Sequence, residues 1–86
     1  MTKFYTVISR NNCPYCTMVL EELYEAGERP IVHHVDKDPS IRTLMLMAGI
    51  KTVPQVFAPD GYHIGGYGET LQWLVDKKSD DSDEPY

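Results

Sequence analysis

The sequence predicts an α/β fold, a mixed four-stranded sheet flanked by three helices. Short aromatic and β-branched runs alternate with stretches of helical periodicity, and a Pro59-Asp60-Gly61 turn separates two of the short runs. The 86 residues suffice for one small domain and not for two. The element order reads βαβ, then α, then a ββ hairpin, then α.

Each element has its own signal. Residues 4–8, Phe-Tyr-Thr-Val-Ile, form a strand by propensity. Polar Ser9-Arg10-Asn11-Asn12 leads to Cys13, and from Pro14 the pattern turns helical, with Cys16, Val19, Leu20 and Leu23 on one face. Pro14 suits a first helical turn and Gly27 the position just past the end. Residues 30–35 read as a second strand. Asp38-Pro39-Ser40 starts a second helix with a capping acid and a proline. Its apolar stripe is Ile41, Leu44, Met45 and Ala48, and Gly49 closes it. Met45 and Met47 read as packing residues. Residues 55–58 make a third strand, residues 62–64 a fourth beyond the hairpin turn, and a last helix spans 68–77 with Leu71, Leu74 and Val75 inward. Trp73 lies off that stripe, in a half-exposed packing role. A right-handed crossover makes the first strand pair parallel, and the hairpin adds antiparallel strands.

Composition bounds the function. A formal charge of −5 lacks the basic surface that nucleic acid demands. Four of the 13 acids fall in residues 79–86, so without them nine acids face eight basic residues. The organisation expected is a domain over residues 1–77 and an acidic tail over 78–86, which lacks apolar side chains other than Tyr86 and reads as disordered. No stretch approaches the roughly 20 apolar residues that cross a bilayer, and no signal-peptide pattern opens the chain. The expectation is a cytoplasmic monomer without membrane partners.

Cys13 and Cys16 are the sole cysteines. A bridge between them closes too small a loop to staple a fold, which leaves redox chemistry or metal binding. Thiol–disulfide exchange needs an attacking thiolate and a resolving thiol. Spacing i, i+3 on a first helical turn puts both sulfurs on one face. Cys13 sits where unpaired N–H groups and the helix dipole favour negative charge, and Arg10 adds a cation. Both lower its pKa and make it the attacking thiol. Cys16, inside the helix, resolves, and Tyr15 flanks the sulfurs. Two readings compete: redox-inert cysteines buried as small hydrophobes, and half a zinc site with His33, His34 or His63 completing it. His33 and His34 are adjacent in a strand and point to opposite faces, so at most one could join. Each histidine singly reads as a solvated or core-edge residue.

At Cys13-Pro14-Tyr15-Cys16 the chain resembles the dithiol glutaredoxins. Thr52-Val53-Pro54 looks like their Thr-Val-Pro, and Gly65-Gly66-Tyr67 like their Gly-Gly motif at the last helix. The resemblance covers about residues 3–77. The run from Pro54 to Gly61, followed by His63-Ile64-Gly65-Gly66, is similar to small glutaredoxin/thioredoxin proteins of tailed phages, which implies a host cytoplasm. The family resemblance implies a thioredoxin-like fold, a cis peptide before Pro54, and a Val53 backbone that pairs with substrate as an added strand would. It also implies glutathione as reducing co-substrate, with no permanently bound cofactor and no metal. Arg10 meets the glycine-end carboxylate, and Tyr15 and Thr52 line the groove. The γ-glutamyl end meets backbone around Gly66, Tyr67, Gly68 and Glu69. Related sequences commonly carry Ser or Thr and then Asp where this chain has Gly68-Glu69. The implied substrates are disulfide-bonded or glutathionylated proteins, ribonucleotide reductase among them.

Two rivals have their own signatures. A thioredoxin-like reductant recycled by a flavoprotein reductase would carry Gly-Pro between its cysteines, and this chain has Pro14-Tyr15. A module binding an iron–sulfur cluster between two subunits tends to have Gly where Pro14 stands.

Overall fold

The computed structural model describes residues 4–82. Strand β1 spans Thr6–Ser9, helix α1 Pro14–Glu25, β2 Ile31–His34, α2 Pro39–Met47, β3 Gln55–Phe57, β4 His63–Gly65 and α3 Tyr67–Ser82. All seven expected elements form, in the expected order. The sheet order is β2-β1-β3-β4. β1 runs parallel to β2, with Thr6 opposite Ile31. It runs antiparallel to β3, with Val7 opposite Val56. β3 and β4 form the antiparallel hairpin. The fold is thioredoxin-like.

Local chemistry sets the ends of the elements. Asp38 Oδ1 accepts from the N–H groups of Ser40 and Ile41 at 3.1 and 3.4 Å, capping α2 ahead of Pro39. Gly27, at φ +84°, follows α1 in the left-handed conformation that closes many helices. In the hairpin, Gly61 N–H donates to Ala58 O at 2.9 Å, and Asp60 Oδ1 accepts from Tyr62 N–H at 3.0 Å.

The core gathers Tyr5, Val7, Val19, Leu23, Val56 and Ala58, with Leu20, Ile64, Tyr67, Trp73 and Leu74 packed against it. Full burial of one such aliphatic side chain contributes about 1.5–3 kcal/mol. Trp73 is half-buried as expected. Its Nε1–H donates to Tyr5 Oη at 3.0 Å, and its ring stacks on Tyr62 with centroids 5.3 Å apart.

Helix α2 corrects the sequence reading. Met45 is buried, but Leu44, Leu46 and Met47 are 60%, 68% and 80% exposed. The packing role expected of Met47 therefore fails. Met47 lies two positions, about 200°, round the helix from Met45, so the face that buries one turns the other to solvent. Helix α3 also runs five residues past its expected end at Lys77, to Ser82. The stretch from 78 that reads as disordered is thus helical to 82, because no glycine or proline stands between Gly68 and Pro85 to stop it. The rest of that tail, residues 83–86, lies outside the described residues. No helix among the described residues is long and apolar enough to cross a membrane.

Candidate active site

The two cysteines meet at the start of α1. Cys13 is the N-cap residue, and Pro14 fills the first turn behind it. Cys13 and Cys16 form a disulfide with Cα atoms 5.2 Å apart. Cys16 N–H donates to Cys13 Sγ at 3.3 Å, a contact that would stabilise negative charge on that sulfur after reduction. Cys13 keeps 9% exposure and Cys16 2%, so the N-cap sulfur is the more accessible of the pair.

The loop before β3 closes over this disulfide. The Val53–Pro54 peptide is cis, and Val53 O lies 3.9 Å from Cys13 Sγ. Gly66, at the entry to α3, sits against the same loop. A Cβ there would stand 3.3 Å from Glu69 Oε1 and in ordinary contact with Pro54 O at 3.5 Å, so the two segments lie close together. Tyr67, the first residue of α3, meets Tyr15 from α1 with ring centroids 5.6 Å apart. Tyr15 is 59% exposed and forms an open aromatic wall beside the disulfide. Glu69 turns back so that its Oε1 accepts from Gly66 N–H at 3.0 Å, and Thr70 Oγ1 donates to Gly66 O at 2.8 Å. Gly68 is exposed and has open space around it.

Arg10 borders two cavities. One holds Cys13, Asn11, Asn12, Thr17 and His34. The other, of about 500 Å³, is lined by Arg10, Val35, Arg42, Met45, Leu46, Ile50, Lys51, Thr52 and Val53. Three cations from three segments thus surround one cavity that reaches Val53 and, through it, the disulfide. None of the three is in an ion pair among the described residues. Arg42 and Lys51 escape the sequence reading because they converge on Arg10 only in the folded chain. Their signal is faint: two basic residues flanking an apolar helical run, in a chain rich in acid.

Gln55 escapes it too. This buried side chain donates through Nε2 to Thr52 O and Oγ1 at 3.0 and 3.1 Å, and its Oε1 accepts from His63 Nε2 at 2.7 Å. His63 stacks on Phe57, with centroids 4.6 Å apart. The Thr52 segment therefore hangs from the β3–β4 hairpin. His34 Nδ1 is buried without a hydrogen-bond partner among the described residues. No cluster of three or more metal-ligating side chains occurs among them.

The arrangement suits reversible exchange of disulfides. It combines a paired sulfur at a helix N-terminus, a backbone edge beside it, and an adjacent cationic cavity. The chain matches the glutaredoxin family model over residues 5–64. It is 29% identical over 79 residues to glutaredoxin-C11 of Arabidopsis thaliana, covering 86% of this chain and 76% of that one. Among solved structures it resembles a buckwheat glutaredoxin–glutathione complex at 31% identity and a TM-score of 0.72, covering 86% of this chain and 70% of the other. Glutaredoxin 1 from Francisella tularensis, complexed with cacodylate, aligns at 32% identity and a TM-score of 0.67, covering 88% and 95%.

Proposed function

The chain belongs to the glutaredoxin family of thiol–disulfide oxidoreductases, and from that premise we propose that it reduces protein disulfides and glutathione mixed disulfides, with glutathione as its reductant and ribonucleotide reductase among its targets. The observation that carries the reading is the Cys13 sulfur at the start of α1, beside the Val53 backbone and the cavity of Arg10, Arg42 and Lys51. The buckwheat protein's complex with glutathione supports the choice of reductant.

The exchange runs in balanced steps. The Cys13 thiolate attacks one sulfur of the substrate disulfide; a Cys13–substrate disulfide forms, and the other sulfur leaves as a thiolate that takes a proton from water. Cys16, once deprotonated, attacks Cys13 Sγ and releases the second substrate thiol, leaving the Cys13–Cys16 disulfide. One glutathione thiolate then attacks Cys13 and frees Cys16. A second attacks the glutathione sulfur of that mixed disulfide and leaves as oxidised glutathione, so two electrons pass from two glutathiones to one substrate disulfide.

The remaining residues bind. Arg10, with Arg42 and Lys51, faces the glycine-end carboxylate, while Tyr15 and Thr52 flank the tripeptide. The Val53 N–H and C=O pair with its backbone, and Pro54 holds that edge in place. The γ-glutamyl end lies over Gly66, Tyr67, Gly68 and Glu69, where the start of α3 offers N–H donors. The enzyme acts as a monomer in the cytoplasm.

Turnover of hydroxyethyl disulfide with glutathione and glutathione reductase tests the proposal. Activity in that assay is the expected result. Turnover supported by thioredoxin reductase alone would replace glutathione with a flavoprotein as the electron source.

A further inference from the structure

Helix α2 presents an aliphatic wall to the cationic cavity, and nothing in glutathione needs it. Arg42 and Leu46 of α2, Ile50 just past the helix end and buried Met45 all line the cavity. Arg10, Val35, Lys51, Thr52 and Val53 complete its lining, and Val53 O lies 3.9 Å from Cys13 Sγ. Leu46 is 68% exposed although it sits beside three cations. Among the described residues, no acidic side chain lines the cavity. The nearby acids are engaged elsewhere: Asp36 Oδ2 accepts from Asn11 N–H at 3.3 Å, and Asp38 caps α2. A tripeptide of glutamate, cysteine and glycine supplies carboxylates to the cations but no aliphatic side chain to Leu46.

The geometry points to a specificity groove for protein substrates: it takes an extended segment that carries a carboxylate and an aliphatic side chain beside its reacting cysteine. The inference rests on the oxidoreductase reading above and deepens it. The cysteine lies at Cys13, the segment pairs along Val53, the carboxylate meets Arg10, Arg42 and Lys51, and the aliphatic group covers Leu46 and Ile50. Charge complementarity and continuity with the disulfide choose this occupant. A basic segment would meet three like charges, and a purely polar one would leave the aliphatic wall wet.

The test uses four otherwise identical peptides of about ten residues, with Asp or Asn and Leu or Ser beside the cysteine. Serine replaces that cysteine, so that Kd is read by calorimetry on the whole protein without turnover. In parallel, hydroxyethyl disulfide turnover with glutathione reports the parent reading. The Asp–Leu peptide should bind at least about tenfold tighter than the Asn–Ser peptide, combining one exposed ion pair with partial burial of a leucine. Leu46→Ser should abolish the preference for Leu over Ser and leave the preference for Asp over Asn in place. Arg42→Gln should weaken the preference for Asp over Asn, and added salt should do the same in the native protein. Equal Kd values for the four peptides, or a leucine preference that survives Leu46→Ser, would overturn the groove. Loss of hydroxyethyl disulfide turnover in the native protein, with the peptide preferences intact, would overturn the glutathione reading and leave the groove standing.

Discussion

Two sulfurs with different surroundings imply two different mutant phenotypes. Cys13, at the helix terminus and beside the Cys16 N–H, is the proposed attacking atom, so Cys13→Ser should abolish every disulfide reduction. Cys16→Ser should lose reduction of protein disulfides yet retain turnover of glutathione mixed disulfides, which need one thiol. Steady-state assays with both substrate types separate the two, and the reverse pattern would refute the assignment. Arg10 has two proposed effects that a second pair separates. Arg10→Lys keeps the charge that favours the Cys13 thiolate but loses the planar fork that grips a carboxylate. It should leave thiolate absorbance against pH unchanged while raising the KM for glutathione. Arg10→Ala should raise the KM further, by about two- to fivefold for an exposed contact, because Arg42 and Lys51 remain in the same cavity. If the alanine variant changes neither quantity, the helix terminus alone activates Cys13.

Among the elements, the entry to α3 makes opposite demands on two neighbouring glycines. Gly65 has φ +126°, a region L side chains rarely adopt, and a Cβ there would stand 3.0 Å from Glu69 Cβ and Cγ. Gly68 lies inside the helix, and a Cβ added to it would meet nothing within 4 Å. Gly65→Ala should therefore destabilise the domain by about 1–3 kcal/mol, whereas Gly68→Ala should stabilise it by about 0.5–1 kcal/mol through helix propensity. Urea titrations of both variants check the signs. A neutral Gly65→Ala would mean that α3 starts differently in solution. Helix α2 offers a simpler case: Asp38 accepts from two N–H groups, and Asp38→Ala should cost about 1 kcal/mol by the same measurement.

At the level of the whole molecule, the parts legible in the sequence are those encoded over short distances. The cap Asp38-Pro39, the hairpin Pro59-Asp60-Gly61 and the stripe Cys16-Val19-Leu23 each announce an element within a few residues, and each element forms. The disulfide needs one helical turn and is equally local. Periodicity says which residues share a face and not whether the sheet covers it, so Leu44 and Met47 read as inward and stand exposed. Arg42, Lys51 and Gln55 are hidden from the sequence because their roles depend on contacts made only after the chain has folded. Charge distribution, by contrast, is visible in the sequence and acts on the whole surface. The chain carries −5 overall, and removing residues 79–86 would take away four acids, leaving nine against eight basic residues. Among the described residues, the core contacts of α3 come from Tyr67, Trp73 and Leu74, all before that stretch. The truncated protein should thus keep its melting temperature, since changes away from core features usually fall within about 0.5 kcal/mol. Its glutathione KM, measured at low ionic strength, should fall as the repulsion of the proposed anionic co-substrate is lifted, and the difference from the full chain should vanish where added salt shortens the Debye length to about 3 Å at 1 M. A melting temperature that drops sharply would show that residues 79–86 pack on the domain. A KM that stays constant at every salt concentration would show that the local cations, and not the net charge, govern the approach of glutathione.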